Sequence, residues 1–185
     1  MKTWILVGFL TLFGAGALAA EEMPAQAQAC VACHGKEGVS GNPEWPNLAG
    51  QNAGYLAAQL TAFREGRRDN PAMAPFVAGL SDGDIAVLSE YYSGLDRAIT
   101  ANGDPTLVGK GENLSAYCKA CHGMQGVPAT PDWPILAGQQ APYLLKQLLA
   151  YKSGTRVNSH MAAAIARFDE PEFRALAAYY SQLAP

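Results

Sequence analysis

Residues 22–97 and 110–185 are two copies of one sequence. Sliding the chain on itself by 88 residues pairs them without a gap, and 31 of the 76 pairs are identical. Whatever this chain folds into, it makes twice, in units of roughly 75 to 80 residues. The matched stretches include WPNLAGQ with WPILAGQ, YLAAQL with YLLKQL, NPAM with NSHM and YYSGL with YYSQL. Between the copies, AITANGDPT at 98–106 carries the Asn-Gly and Asp-Pro signals of a connection. The repeat thus divides the chain into a first unit at 20–97, a linker at 98–108 and a second unit at 109–185.

The residues ahead of the repeat read as a leader. Lys2 is followed by an apolar run that ends in the small residues Ala17-Leu18-Ala19. This is the pattern of a secretory signal at 1–19, cleaved near Ala19 or Ala20, and it predicts a mature protein soluble in an oxidising compartment. Uncleaved, residues 4–20 would form an anchor at the lower limit of spanning length. Without the leader the chain keeps 12 basic and 16 acidic side chains, a formal charge near −4. That balance argues against nucleic acid as a partner. The charge is uneven, with ten acids and five bases in 21–103 against six acids and seven bases in 104–185.

Within each copy the apolar period is helical. Tyr55, Leu56, Leu60 and Phe63 form one stripe, repeated by Tyr143, Leu144, Leu148 and Tyr151. A second stripe, Ile85, Leu88, Tyr92 and Leu95, follows the capping signal Ser81 to Asp84; its copy is Phe173, Leu176, Tyr180 and Leu183 after Asp169 to Glu172. No stretch alternates as a strand would. Two small all-α units follow, each with too few short helices to bury a comfortable core unaided.

All four cysteines and two of the three histidines are spent on CVACHG at 30–35 and CKACHG at 118–123. Structural zinc, a pair of disulfides and covalent haem c are the three chemistries open to them. Zinc needs four converging ligands, and Cys-x-x-Cys pairs in zinc ribbons sit about 15 to 20 residues apart rather than 88. Disulfides account neither for the histidines nor for the duplicated surroundings. Cys-x-x-Cys-His is the attachment signature of haem c. On a helix, Cys30, Cys33 and His34 stand at i, i+3 and i+4 and share a face, as do Cys118, Cys121 and His122. Two thioethers then hold one edge of the porphyrin while the imidazole reaches the iron. Two haem c groups would also complete the two small cores.

The far side of each iron decides between chemistry and simple electron transfer. Met73 follows His34 by 39 residues, Met161 follows His122 by the same 39, and an Asn stands three residues before each. These are the candidate sixth ligands, at the distal face; a methionine merely packed under the ring is the alternative. His160, where the first copy has Ala72, is an available competitor in the second site only; a solvated or propionate-contacting residue is its plainer reading.

These motifs resemble the dihaem cytochromes of the c4 type, two class I cytochrome c domains in tandem, each a small helical domain wrapped around one covalent haem. The resemblance spans the mature chain and rests on C-x-x-C-H, W-P-x-L-A-G-Q, Y-L-x-x-Q-L, the late Met and the closing Tyr-Tyr helix. It implies that the carbonyls of Pro46 and Pro134, twelve residues after each haem His, accept the bond from the imidazole nitrogen that does not bind iron. It implies a periplasmic electron carrier rather than an enzyme, with no small-molecule substrate and a loose, peripheral association with the membrane. Its donor would be a quinol-oxidising complex and its acceptor a terminal oxidase or nitrogen-oxide reductase. An electron-transfer subunit of a catalytic complex, such as a flavocytochrome c sulfide dehydrogenase, has the same layout; a dihaem peroxidase would need a vacant iron position. Such domains carry a glycine where the first helix crosses the last. Gly111 serves in the second copy, whereas the first has Met23.

Other residues have plainer readings. Trp45 and Trp133 are expected to pack on the haem wall or to bond a propionate. Tyr91, Tyr92, Tyr179 and Tyr180 read as helix packing or a contact between domains. Lys146, Lys152 and Arg156 form either a solvated face or a docking patch for an acidic partner.

Overall fold

The computed structural model describes residues 22–184, so the leader expected at 1–19 lies outside it. The chain forms α1 (Val31–His34), α2 (Ala53–Arg64), α3 (Ala74–Val77), α4 (Asp82–Gly94), α5 (Val108–Leu114), α6 (Ala116–His122), α7 (Ala141–Ser153), α8 (Ser159–Ile165) and α9 (Glu170–Gln182), with 3₁₀ turns at Ala25–Ala27 and Pro105–Leu107. There is no strand among the described residues, and no helix among them is long and apolar enough to cross a membrane.

The predicted stripes become α2, α4, α7 and α9. Ser81 caps α4 through a reciprocal box with Asp84, and Asp169 caps α9 in the same way with Glu172. Each box satisfies backbone N–H groups that the first turn leaves without partners. The apolar faces then close two separate cores. Leu56, Leu88, Tyr91 and Tyr92 are buried with Ala27 in the first; Leu144, Ile165, Phe168, Phe173, Leu176, Tyr179 and Tyr180 form the second. The paired tyrosines pack edge to face within each core, at 5.0 and 5.1 Å between ring centroids.

The copies differ at their starts. In the second domain α5 crosses α9 at Gly111, so closely that a Cβ there would lie 2.0 Å from the Ala175 carbonyl oxygen. In the first domain the described residues have no counterpart of α5. The 3₁₀ turn places Ala27 fully inside and Met23 against the core instead. A methionine is too bulky for the close crossing that glycine permits, and it fills the space from the side. The connection between domains runs along α9: the Ala101 amide donates to the Ser181 carbonyl, and Gly103 rests on Ala178.

The two domains face each other about a pseudo-twofold axis. Tyr55 N–H donates to the Pro131 carbonyl at 2.9 Å, and its copy Tyr143 donates to the Pro43 carbonyl at 3.2 Å. Gln51 clasps the backbone of Ile135, donating to its carbonyl and accepting its N–H; Gln139 clasps Asn47 in the same way. Arg68 reaches Tyr143 and Gln147 of the second domain, while Arg156 reaches Tyr55 and Gln59 of the first. This corrects both readings of Arg156, as part of a solvated face and as part of a docking patch. It is only 8% exposed and belongs to the interface. Lys146 and Lys152 do lie at the surface, Lys152 donating to the Ala166 carbonyl at the end of α8.

Candidate haem sites

Each Cys-x-x-Cys-His stretch is helical, the condition under which its spacing shares one face. Cys30 precedes α1 and the His34 amide donates back to its carbonyl at 2.9 Å, which sets Cys30, Cys33 and His34 on one face. Cys118, Cys121 and His122 take the same positions at the end of α6. Immediately afterwards the chain turns sharply back. Gly35 and Gly123 have φ of 78° and 77°, and a Cβ would meet the Val39 or Val127 carbonyl oxygen at about 2 Å, so only glycine fits. No disulfide joins the four cysteines.

That return brings the proline carbonyls under the imidazoles. His34 Nδ1 lies 2.9 Å from the Pro46 carbonyl oxygen, and His122 Nδ1 lies 3.1 Å from that of Pro134. A carbonyl can only accept, so Nδ1 carries the proton and Nε2 keeps its lone pair. Burial holds both imidazoles below their ordinary pKa, against the opposing pull of the proline carbonyls. The result is a neutral ring, buried, with one nitrogen fixed and the other ready for a metal. The loop itself is pinned twice. Leu48 and Leu136 donate to the Gly38 and Gly126 carbonyls, and Gly50 and Gly138 donate to Tyr92 and Tyr180. The closing Tyr-Tyr helix therefore positions the loop that orients the histidine.

The methionines stand at matching helix starts. Met73 immediately precedes α3, its amide donating to the Asn70 carbonyl at 2.9 Å; Met161 lies in the first turn of α8, its amide held at 3.0 Å by the Asn158 side chain. Both are half-buried, whereas His160 is exposed. Trp45 and Trp133 are 37% and 38% exposed, and the Trp133 ring lies 6.3 Å from that of His122.

These residues fit a covalently held haem. The thiols of Cys30 and Cys118 are pushed up by burial and stand beside Tyr92 and Tyr180. The hydroxyls of these tyrosines are buried without a hydrogen-bond partner, and burial raises their pKa. They are neutral donors, next to the point where each cysteine would be joined to the porphyrin.

Comparison with known proteins turns this fit into a family. Residues 19–91 match the family model described as cytochrome C oxidase, cbb3-type, subunit III. The chain is 33% identical to cytochrome c4 of Pseudomonas aeruginosa, over 97% of this chain and 98% of that one. The chain belongs to the cytochrome c4 family. Its fold is correspondingly two class I cytochrome c domains, close to the crystal structure of reduced recombinant cytochrome c4 from Pseudomonas stutzeri, with a TM-score of 0.81 and 30% identity over 86% of this chain and 95% of that one. It is also 35% identical to a thiosulfate dehydrogenase electron acceptor of Stutzerimonas stutzeri, over 85% of this chain and 80% of the relative. As a member of the c4 family the chain carries two covalently bound haem c groups and transfers electrons; it is not an enzyme.

No motif in the sequence marks the interface residues as such. A signal is present all the same, because Gln51, Tyr55, Gln59 and Arg68 are identical to Gln139, Tyr143, Gln147 and Arg156 on a diverged background.

Proposed function

We propose that each domain closes its iron with one histidine and one methionine: His34 and Met73 in the first, His122 and Met161 in the second. Cys30 and Cys33, then Cys118 and Cys121, are the thioether attachments, with Pro46 and Pro134 orienting the histidines and Trp45 and Trp133 packing at the haem wall. The domains concerned are 20–97 and 109–185, joined by 98–108. The observation that carries this reading is the repeated bond from His Nδ1 to a proline carbonyl, which leaves Nε2 unprotonated in both copies. Haem c supplies the one-electron change between ferric and ferrous iron. With an imidazole and a thioether as ligands the haem would favour the ferrous state at a raised potential, and a ligand set that stays the same in both oxidation states would suit outer-sphere transfer.

The protein then works in the periplasm, after loss of the leader near Ala19 or Ala20, as a soluble or loosely membrane-associated carrier. Its donor is a quinol-oxidising complex and its acceptor a terminal oxidase or nitrogen-oxide reductase. A second reading is favoured by two similar proteins. One is the electron acceptor of Stutzerimonas stutzeri already described. The other is a thiosulfate dehydrogenase from Marichromatium purpuratum, matched with a TM-score of 0.74 and 36% identity over 84% of this chain and 36% of that one. Here the chain would take electrons from a sulfur-oxidising enzyme, as a flavocytochrome sulfide dehydrogenase subunit would.

Gentle purification followed by rapid mixing separates the two. A free protein reduced quickly by membranes that oxidise quinol supports the carrier. A stoichiometric complex with a dehydrogenase, and no reduction by those membranes, would overturn it.

A further inference from the structure

The peptide unit joining Pro46 to Asn47 makes two bonds to two different domains. Its carbonyl accepts from His34 Nδ1 in its own domain at 2.9 Å, and its N–H donates to the Gln139 side-chain oxygen of the other domain at 2.8 Å. The unit joining Pro134 to Ile135 does the same in reverse, with His122 at 3.1 Å and Gln51 at 2.8 Å. Both glutamines are 7% exposed. Each is fixed by a second bond, from its amide nitrogen to the carbonyl of the residue it clasps, at 2.9 Å in both cases. Each oxygen also accepts the N–H of the following residue, Asn52 or Gln140, which sets its direction.

We infer that Gln51 and Gln139 are crosswise positioning residues, each tuning the potential of the haem in the opposite domain. An amide that donates its N–H becomes a better acceptor at its carbonyl, because the two bonds polarise one another. A better acceptor draws the Nδ1 proton of the histidine and makes the ring a stronger electron donor to the iron. Ferric iron gains most from that donation, so the clasp lowers the potential across the interface. The inference rests on His34 and His122 being the axial ligands, as proposed above.

The two relays are not equally braced. Asn47 has its side-chain oxygen held by the Ser40 amide and by Gln140, and Gln140 also holds the Ser40 carbonyl. Ile135, in the equivalent position, has no polar side chain to be held. Loss of Gln51 therefore frees the Pro134 unit more than loss of Gln139 frees the Pro46 unit.

The test uses the full chain with both haems attached. Gln51→Leu and Gln139→Leu are titrated spectroelectrochemically, with haem methyl resonances identifying each haem. Each substitution is expected to raise the potential of the opposite-domain haem more than that of its own, and Gln51→Leu is expected to give the larger shift. Asn52→Ala is the control. It removes a 2.7 Å bond across the interface to the Trp133 carbonyl without touching the Pro134–Ile135 unit, and it is expected to leave both potentials near their original values. Equal shifts in Gln51→Leu and Asn52→Ala, or a larger shift at the same-domain haem, would overturn the relay. In the unsubstituted protein, hydrogen exchange at the Asn47 and Ile135 amides should be as slow as in the helix cores; rapid exchange at either would also overturn it. A wild-type spectrum without histidine ligation would sink the ligand reading instead, and it is recorded first.

Discussion

Arg68 and Arg156, 88 residues apart, share the side-chain oxygens of Gln59 and Gln147 across the domain interface, through four hydrogen bonds of 2.7 to 2.8 Å. Arg156 adds a bond to the Tyr55 hydroxyl and Arg68 one to that of Tyr143. The two guanidinium groups also stack on rings of their own domains, Arg68 on Phe63 and Arg156 on Tyr151. The arrangement joins two separately built domains by polar contacts rather than by one continuous core. Its strength therefore rests on every buried partner being satisfied.

Arg156→Ala leaves Tyr55 and the two glutamine oxygens short of donors. A cost of about 2–3 kcal/mol is expected, read by guanidinium unfolding of the haem-loaded chain. Small-angle scattering should show a larger radius of gyration as the domains part. Arg68→Ala, at a more exposed position, should cost less.

Two glycines in α5 separate packing from propensity. Gly111→Ala drives a Cβ against the Ala175 carbonyl and Tyr179, and overpacking of this kind costs about 1–3 kcal/mol or more. Gly109→Ala meets nothing within 4 Å, so it should gain up to about 1 kcal/mol from the helix propensity of alanine. Thermal unfolding of the two variants should move in opposite directions.

The Ser81 box predicts an acid-sensitive start to α4. The Ser81 hydroxyl and amide, with Gln26, hold the Asp84 carboxyl below its usual value of 3.8. A carboxyl depressed on folding stabilises above its unfolded value, and the contribution disappears as pH falls through the folded one. Ser81→Ala should cost about 1 kcal/mol near neutral pH. The deficit should shrink below pH 3.8, as measured by unfolding across an acid series.

Much of this was legible in the residues because local rules governed it. Cys-x-x-Cys-His shares one face once it is helical, and the stripes at Leu56 and Leu144 gave helices; the bond from His34 to the Pro46 carbonyl came only with the resemblance to the dihaem c4 cytochromes. The interface was not legible, since a repeat shows that Arg68 and Arg156 correspond without showing that they meet. Charge alone made Arg156 look like a surface residue. Its position is set instead by tyrosines and glutamines of both domains. The 3₁₀ turn at the start of the first domain was hidden for another reason: Met23 signals that the glycine crossing is absent without saying what replaces it.

The competition between His160 and Met161 has a direct answer in substitution. His160 is exposed and Met161 borders the second core, so His160→Ala should leave the spectrum of the oxidised protein unchanged. Met161→Ala should remove half of the weak red band that methionine sulfur gives on ferric iron. Met73→Ala should remove the other half.

The visible spectrum of the purified oxidised protein, with haem quantified per chain and the methionine band scored per haem, shows whether both irons are closed by His and Met. Two haems with a full band are expected. A single haem, or two haems with half the band, would mean an iron open to chemistry and rule out two His/Met haems per chain.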